Sequence, residues 1–154
     1  MSVESVIEHL DRFGAKDRMV HIEGGSATVE QAAAGLGVEP DRIAKTLAVR
    51  LKGTDRVMVI VAKGTARLDN AKFKAHFGGK ASFIGGDECL DVTGHPPGGV
   101  CPFGLNAGVE VYLDVSLKDF PVVYPAAGSP SNCARTEIGE LEAWTGGEWI
   151  DVCK

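Results

Sequence analysis

Residues 93 to 104 read TGHPPGGVCPFG, and this stretch concentrates the residue types that could do chemistry in the chain. Pro96, Pro97 and Pro102 fix φ, whereas Gly98, Gly99 and Gly104 leave backbone N–H groups uncovered by side chains. Such a segment is either a tight surface turn or a rigid wall that offers hydrogen-bond donors to something small. It also holds Cys101 six residues after His95, which would be a nucleophile and its base if the fold joined them. A free cysteine more often serves as a small apolar side chain. The four cysteines (Cys89, Cys101, Cys133 and Cys153) form no CxxC pair, and His9, His21 and His76 fall on predicted helix or strand faces without metal-ligand spacing. No metal and no cofactor is expected, and the absence of GxGxxG and Walker patterns removes the usual nucleotide-binding arguments.

The elements that must position this loop alternate between helix and strand. Ser2 caps a helix whose Val3, Val6, Ile7, Leu10 and Phe13 share a face, with Gly14 as its stop. RMVHIE alternates as a short strand. Thr28 with Gln31 makes a capping box for TVEQAAAGLG, and one helical turn at PDRIAK leads into the strand TLAVRL. That strand pairs through KGTD with RVMVIVAK, whose apolar density fits a central strand buried on both faces. Asp69 caps LDNAKFKAHFGG, and a short helix is predicted at GDECLDVTG. VEVYLD and VVYPAA read as strands, TEIGELEAWTG as a helix and EWIDV as a closing strand. The fold class is α/β.

At 154 residues and 44% hydrophobic composition, the chain fits one domain with its own core, spanning residues 1–154. No apolar run reaches the roughly 20 residues of a membrane helix, and MSVESVIEHLDRFG is acidic and amphipathic, unlike a signal peptide; a cytoplasmic location is expected, with reduced thiols. The net charge of −5 argues against a general nucleic-acid or DNA binder, yet between Arg42 and Lys80 there are ten basic residues and only two acidic ones. This asymmetry either brings a polyanion to one face or is a solvated surface spread round the fold.

Taken in order, RIAKTLAV, RLD, GGVCPFG, VYLDVS and AAG resemble the YbaK/EbsC family, the free-standing relatives of the editing domain inserted in bacterial prolyl-tRNA synthetase. The resemblance covers almost the whole chain. It implies a single domain with a curved, barrel-like mixed sheet flanked by helices. It also implies a trans-editing deacylase that hydrolyses the ester joining a wrong amino acid to the tRNA 3′ end. Lys45 matches the family's essential lysine, expected here at the junction of a short helix and a strand. Gly98 and Pro102 match the family's loop, so that Gly98, Gly99, Val100, Cys101 and Pro102 join Lys45 in the catalytic set, with the amides of Gly99, Val100 and Cys101 facing the carbonyl oxygen. Cys101 is expected to line the amino-acid pocket rather than to attack. Thr46, Phe103, Gly104, Ala127, Gly128 and Ser129 are the expected substrate contacts, and Arg42, Lys72 and Lys74 the expected tRNA contacts.

Two departures shape the substrate. Ala127 stands where the cysteinyl-tRNA-specific branch has serine, and RMVHIEGG lacks that branch's tyrosine. Alanine, serine, threonine and cysteine on proline tRNA therefore all remain candidates. Asp114 matches a family aspartate and reads as structural, capping the turn after its strand. The partners implied are the acceptor end of aminoacyl-tRNA and a prolyl-tRNA synthetase. The competing class is a non-catalytic module that holds a tRNA end or a synthetase.

Overall fold

The structure, a computed structural model, describes residues 2–26 and 28–154. In chain order the helices are α1 (Ser2–Asp11), α2 (Val29–Leu36), α3 (Asn70–Phe77), α4 (Gly86–Thr93) and α5 (Ile138–Thr145). The strands are β1 (Met19–His21), β2 (Ile43–Leu51), β3 (Val57–Lys63), β4 (Ala81–Phe83), β5 (Glu110–Asp114), β6 (Val122–Pro125), β7 (Asn132–Ala134), β8 (Thr136–Glu137) and β9 (Glu148–Ile150).

Local chemistry sets most helix ends. Thr28 Oγ1 accepts from Gln31 N at the start of α2, and Asp69 accepts from Ala71 N and Lys72 N at the start of α3. Glu137 and Glu140 form a reciprocal capping box on α5. Helix α1 buries Val6 and Leu10 but ends at Asp11, before Phe13, so Phe13 leaves the expected apolar face and is 48% exposed. Strand β2 starts at Ile43, earlier than its apolar run suggests, because residues 40–42 take up the helical turn; Lys45 thus lies inside a strand and not at a helix–strand junction.

The main sheet runs β8-β6-β2-β3-β5-β9, with β4 attached to β2, and β1 pairs separately with β7. It is a curled, half-barrel mixed sheet with five helices round it. The β2–β3 hairpin is antiparallel, placing Lys45 opposite Ala62 and Thr46 opposite Val61. Strand β3 is buried along Met58–Ala62, as a central strand requires. Its side chains alternate between two cores: Val61 joins Leu10, Phe103, Leu113 and Leu141 on one face, while Met58, Ile60 and Ala62 join Phe73 and Val152 on the other. Fully burying a side chain such as Phe73 or Leu141 contributes about 1.5–3 kcal/mol, so the hairpin is held from both sides.

Candidate functional site

The second edge of β2 is interrupted. Strand β6 pairs with Ile43 and Ala44, and β4 pairs with Val49, Arg50 and Leu51, where Ile84 N also donates to Ala48 O. Among the described residues, Lys45, Thr46 and Leu47 have no ladder partner on that side. A cleft of about 210 Å³ opens here, lined by Lys45, Thr46, Gly98, Val100, Ser129 and Asn132 on its more polar side. Ile22, Val29, Ala32, Ile43, Tyr124 and Cys133 make the apolar side.

Successive residues of β2 address opposite faces of the sheet. Ala44 belongs to the core beneath α1 and α5, so Thr46 shares that face, whereas Lys45 shares the face of Val49 and Leu51. The Lys45 ammonium donates to the Ala66 carbonyl. Burial, and then the charge of Arg67, lower its pKa from the ordinary lysine range, opposed by Cys153 and Glu30. No carboxylate pairs with it among the described residues. Thr46 Oγ1 is the one buried side-chain polar atom among the described residues that lacks a hydrogen-bond partner. An unpaired buried hydroxyl costs about 1–3 kcal/mol, and it belongs to a residue that lines the cleft.

The glycine loop forms the facing wall. Gly99 N donates to Pro96 O at 2.9 Å, and Gly98 sits at φ +83°, which is a type II turn with proline and glycine at its two central positions. The amide of Gly99 is thereby committed to the turn and unavailable to a substrate, contrary to expectation. Gly99 instead locks the wall in place. Gly128 N donates to Gly99 O at 3.0 Å, and a Cβ on Gly99 would meet Gly128 C at 2.6 Å and Ser129 N at 2.7 Å. Val100 lines the cleft, and its N–H meets no acceptor among the described residues.

Several expected contacts stand behind that wall rather than on it. Cys101 is fully buried; its Sγ lies 3.5 Å from Phe103 O and 3.6 Å from His95 Nε2, outside the cleft. The predicted Cys–His proximity is real, but burial pushes the thiol up to about 12, and His95 Nε2–H is spent on Phe103 O at 2.6 Å. A thiol held protonated is no nucleophile. Phe103 and Ala127 are core residues, and Pro102 is buried outside the cleft lining. Gly104 N donates to His9 Nδ1 on α1, and Gly128, at φ +95°, packs its backbone on Ser2 and Val3. These positions support the wall; of the expected contacts, Lys45, Thr46, Gly98, Val100 and Ser129 reach the cleft. Asp114 is buried and accepts from Ser116 N and Val152 N, both at 2.9 Å, which is the structural role expected of it.

The basic segment divides in a way its composition does not reveal. Lys72 pairs with Asp151 at 3.0 Å and donates to Cys153 O, Arg50 pairs with Glu88, Arg56 with Glu110 and Lys63 with Asp119. Arg42 lies over the Phe120 ring at 5.2 Å. Lys72 is therefore committed to the fold, while Lys74 is exposed and has no carboxylate partner among the described residues. Sequence reasoning missed Ser26, Asn132, Tyr124 and Cys133 as cleft residues. The run SPSN after Gly128 held a signal: Ser129 Oγ accepts from Ser131 N and Asn132 Nδ2, a hydroxyl-closed turn.

The curled half-barrel matches that of solved editing-domain structures, and the chain belongs to the aminoacyl-tRNA editing domain family, whose profile matches residues 23–143. It is 47% identical, across its whole length and 98% of the other's, to the uncharacterized protein YwhH of Bacillus subtilis. It is 29% identical to the proline–tRNA ligase of Geobacter sp. strain M21, spanning 96% of this chain but 30% of the ligase. Among solved structures it matches, with a TM-score of 0.88 and 29% identity, a protein described provisionally as a trans-editing enzyme for prolyl tRNA synthetase, covering 99% of this chain and 97% of that one. Among the described residues no helix is long and apolar enough to cross a membrane.

Proposed function

We propose that the protein is a trans-acting deacylase that removes a small non-cognate amino acid (alanine, serine, threonine or cysteine) from proline tRNA, working in the cytoplasm beside prolyl-tRNA synthetase. The observation that carries this reading is the cleft itself. It sets a lysine without a carboxylate partner, a hydroxyl without a partner and a free loop amide round a space of about 210 Å³. That space suits a small side chain.

The reaction adds water to the ester carbonyl and breaks the bond to the ribose oxygen, releasing the free amino acid and an intact tRNA hydroxyl. Such an ester is already activated, so positioning and stabilisation of the oxyanion matter more than a strong base. No histidine or carboxylate is among the cleft residues. The Val100 N–H receives the oxyanion, and the Lys45 ammonium supplies positive charge at the ribose or phosphate side. Thr46 Oγ1 holds a polar group of the aminoacyl moiety.

Proline tRNA charged separately with Ala, Ser, Thr, Cys and Pro tests the reading. Hydrolysis of one or more of the first four, with sparing of Pro and loss of turnover in Lys45→Ala, is the expected result. Hydrolysis of none at enzyme concentrations far above trace, with tRNA binding retained, would replace it by a binding module.

A further inference from the structure

The cleft accounts for the last nucleoside of such a substrate but not for the strand that leads to it. On the sheet face that carries Lys45, the interrupted edge continues past Leu47 to Phe83, which pairs with Val49 and so shares its face. Phe83 is 59% exposed on the edge strand β4, and no aromatic ring or cation stacks on it among the described residues. Past the last β2–β4 pair, Leu51–Ala81, come Lys52 and Lys80, joined by a hydrogen bond from Lys52 N to Lys80 O at 2.9 Å; by the same alternation they stand opposite to Phe83, so the strip turns over the end of the sheet to reach them. Both lysines are exposed, and neither has a carboxylate partner among the described residues. Of the acids nearest in sequence, Glu88 is paired with Arg50, leaving Asp55 in the β2–β3 turn and Asp87 on α4.

We infer that this strip, from the open edge of β2 across Phe83 to Lys52 and Lys80, is the track for the single-stranded 3′ end of the RNA, with Phe83 stacking on a base and the two lysines meeting phosphates where the paired stem begins. The inference rests on the deacylase reading for the identity of the RNA. Three independent features support it. The strip begins on the same edge of β2 as the cleft. Its exposed aromatic has no protein partner, and bases stack on such rings whatever their sequence. Its charge complements a phosphate backbone. The lengths agree as well: at about 3.3 Å per residue, Phe83 lies about 13 Å along the strand from Lys45 and Lys52 about 23 Å. At about 3.4 Å per stacked nucleotide the nearer span is about four nucleotides, which matches the short unpaired end of a tRNA. The track differs from the helix α3 surface that composition suggested, where Lys72 is held by Asp151.

Two uncharged RNA minihelices provide the test, one with the unpaired 3′ end of proline tRNA and one blunt. Phe83→Ala weakens binding of the first about fivefold or more and leaves the blunt one unchanged, while Phe83→Trp restores the difference. The Lys52→Glu/Lys80→Glu double variant weakens both and lowers the log–log salt slope by about 1.5, the value for two phosphates. Equal binding of the overhanging minihelix by wild type and Phe83→Ala overturns the track, as does an unchanged salt slope in the double variant. Variants that lose only a synthetase partner, with RNA binding intact, overturn it too, in favour of a protein interface. Hydrolysis of a minimal aminoacyl-adenosine separates the two levels: all these variants process it like wild type if the deacylase reading holds. A wild type that leaves it intact counts against that reading while the minihelices still decide the track.

Discussion

Replacing Gly99 by alanine tests whether the backbone contact between the two loops builds the cleft. The added Cβ would lie 2.6 Å from Gly128 C, 2.7 Å from Gly128 O and 2.7 Å from Ser129 N. Ordinary van der Waals contact begins at 3.4 Å, so one loop must retreat by roughly 0.8 Å. All three obstacles are backbone and cannot swing aside as a side chain does. Overpacking of this kind costs about 1–3 kcal/mol, and for a domain of this size each kcal/mol lowers Tm by about 2–4 °C. The retreat also carries Gly98 and Val100 away from Lys45 and Thr46, and a displacement near 1 Å in a positioned site costs about a hundredfold in rate. Melting curves and kcat/KM for deacylation of mischarged tRNA are the assays. Gly139→Ala is the control, because a Cβ there, in the first turn of α5, meets nothing within 4 Å. If Gly99→Ala melts with wild type and turns over at the wild-type rate, the idea that this contact sets the wall is wrong.

Thr46→Val removes the unpartnered hydroxyl at constant shape, so Tm should rise by a few degrees while deacylation falls about tenfold or more; a drop in both would show that the hydroxyl serves the fold. Because burial lowers the Lys45 pKa below the ordinary 10.5, the alkaline limb of kcat/KM should fall below that value and move up in Lys45→Arg. Between the folded value and 10.5 the unfolded chain binds more protons at this site, so stability should rise slightly with pH across that window, measured by chemical denaturation. With its thiol pushed up to about 12, Cys101 should resist iodoacetamide at pH 8 in the native protein, and Cys101→Ala should keep deacylation within about tenfold. Rapid labelling of native Cys101, or a thousandfold loss in that variant, would restore it as a nucleophile.

Periodicity and capping chemistry made the helices legible. Thr28 and Asp69 each mark a helix start that the structure contains, whereas the Glu137–Glu140 capping pair of α5 went unread within TEIGELEAWTG. The buried strand β3 was equally plain, because Val57–Ala62 is apolar at every position. Strands β4, β7 and β8 were not, since each is two or three residues long and exists only through its partner. In the site, Lys45 and the wall at Gly98 and Val100 could be found from the motif, but which side of the wall a residue occupies could not. Cys101 and Phe103 alternate with cleft-facing Val100 in the chain, and only the contact with α1 through His9 and Gly104 turns them inward. Lys72 and Lys74 look alike in sequence. The fold brings Asp151, 79 positions away, to one of them.

The break in the ladder beside Lys45, Thr46 and Leu47 also governs how the sheet meets other copies of itself. A free strand edge ordinarily templates the pairing of a second chain and so invites aggregation. Here β6 and β4 close the edge on both sides, leaving about 10 Å at the rise of a β-strand. Strands that dock stably run about five or six residues, so a neighbouring chain finds too little backbone to grip. The protein can keep main-chain groups uncovered at this gap without offering a second chain enough backbone to pair with. Loss of β4 pairing would widen the opening from three residues to seven and turn a recess for small groups into a seed for association.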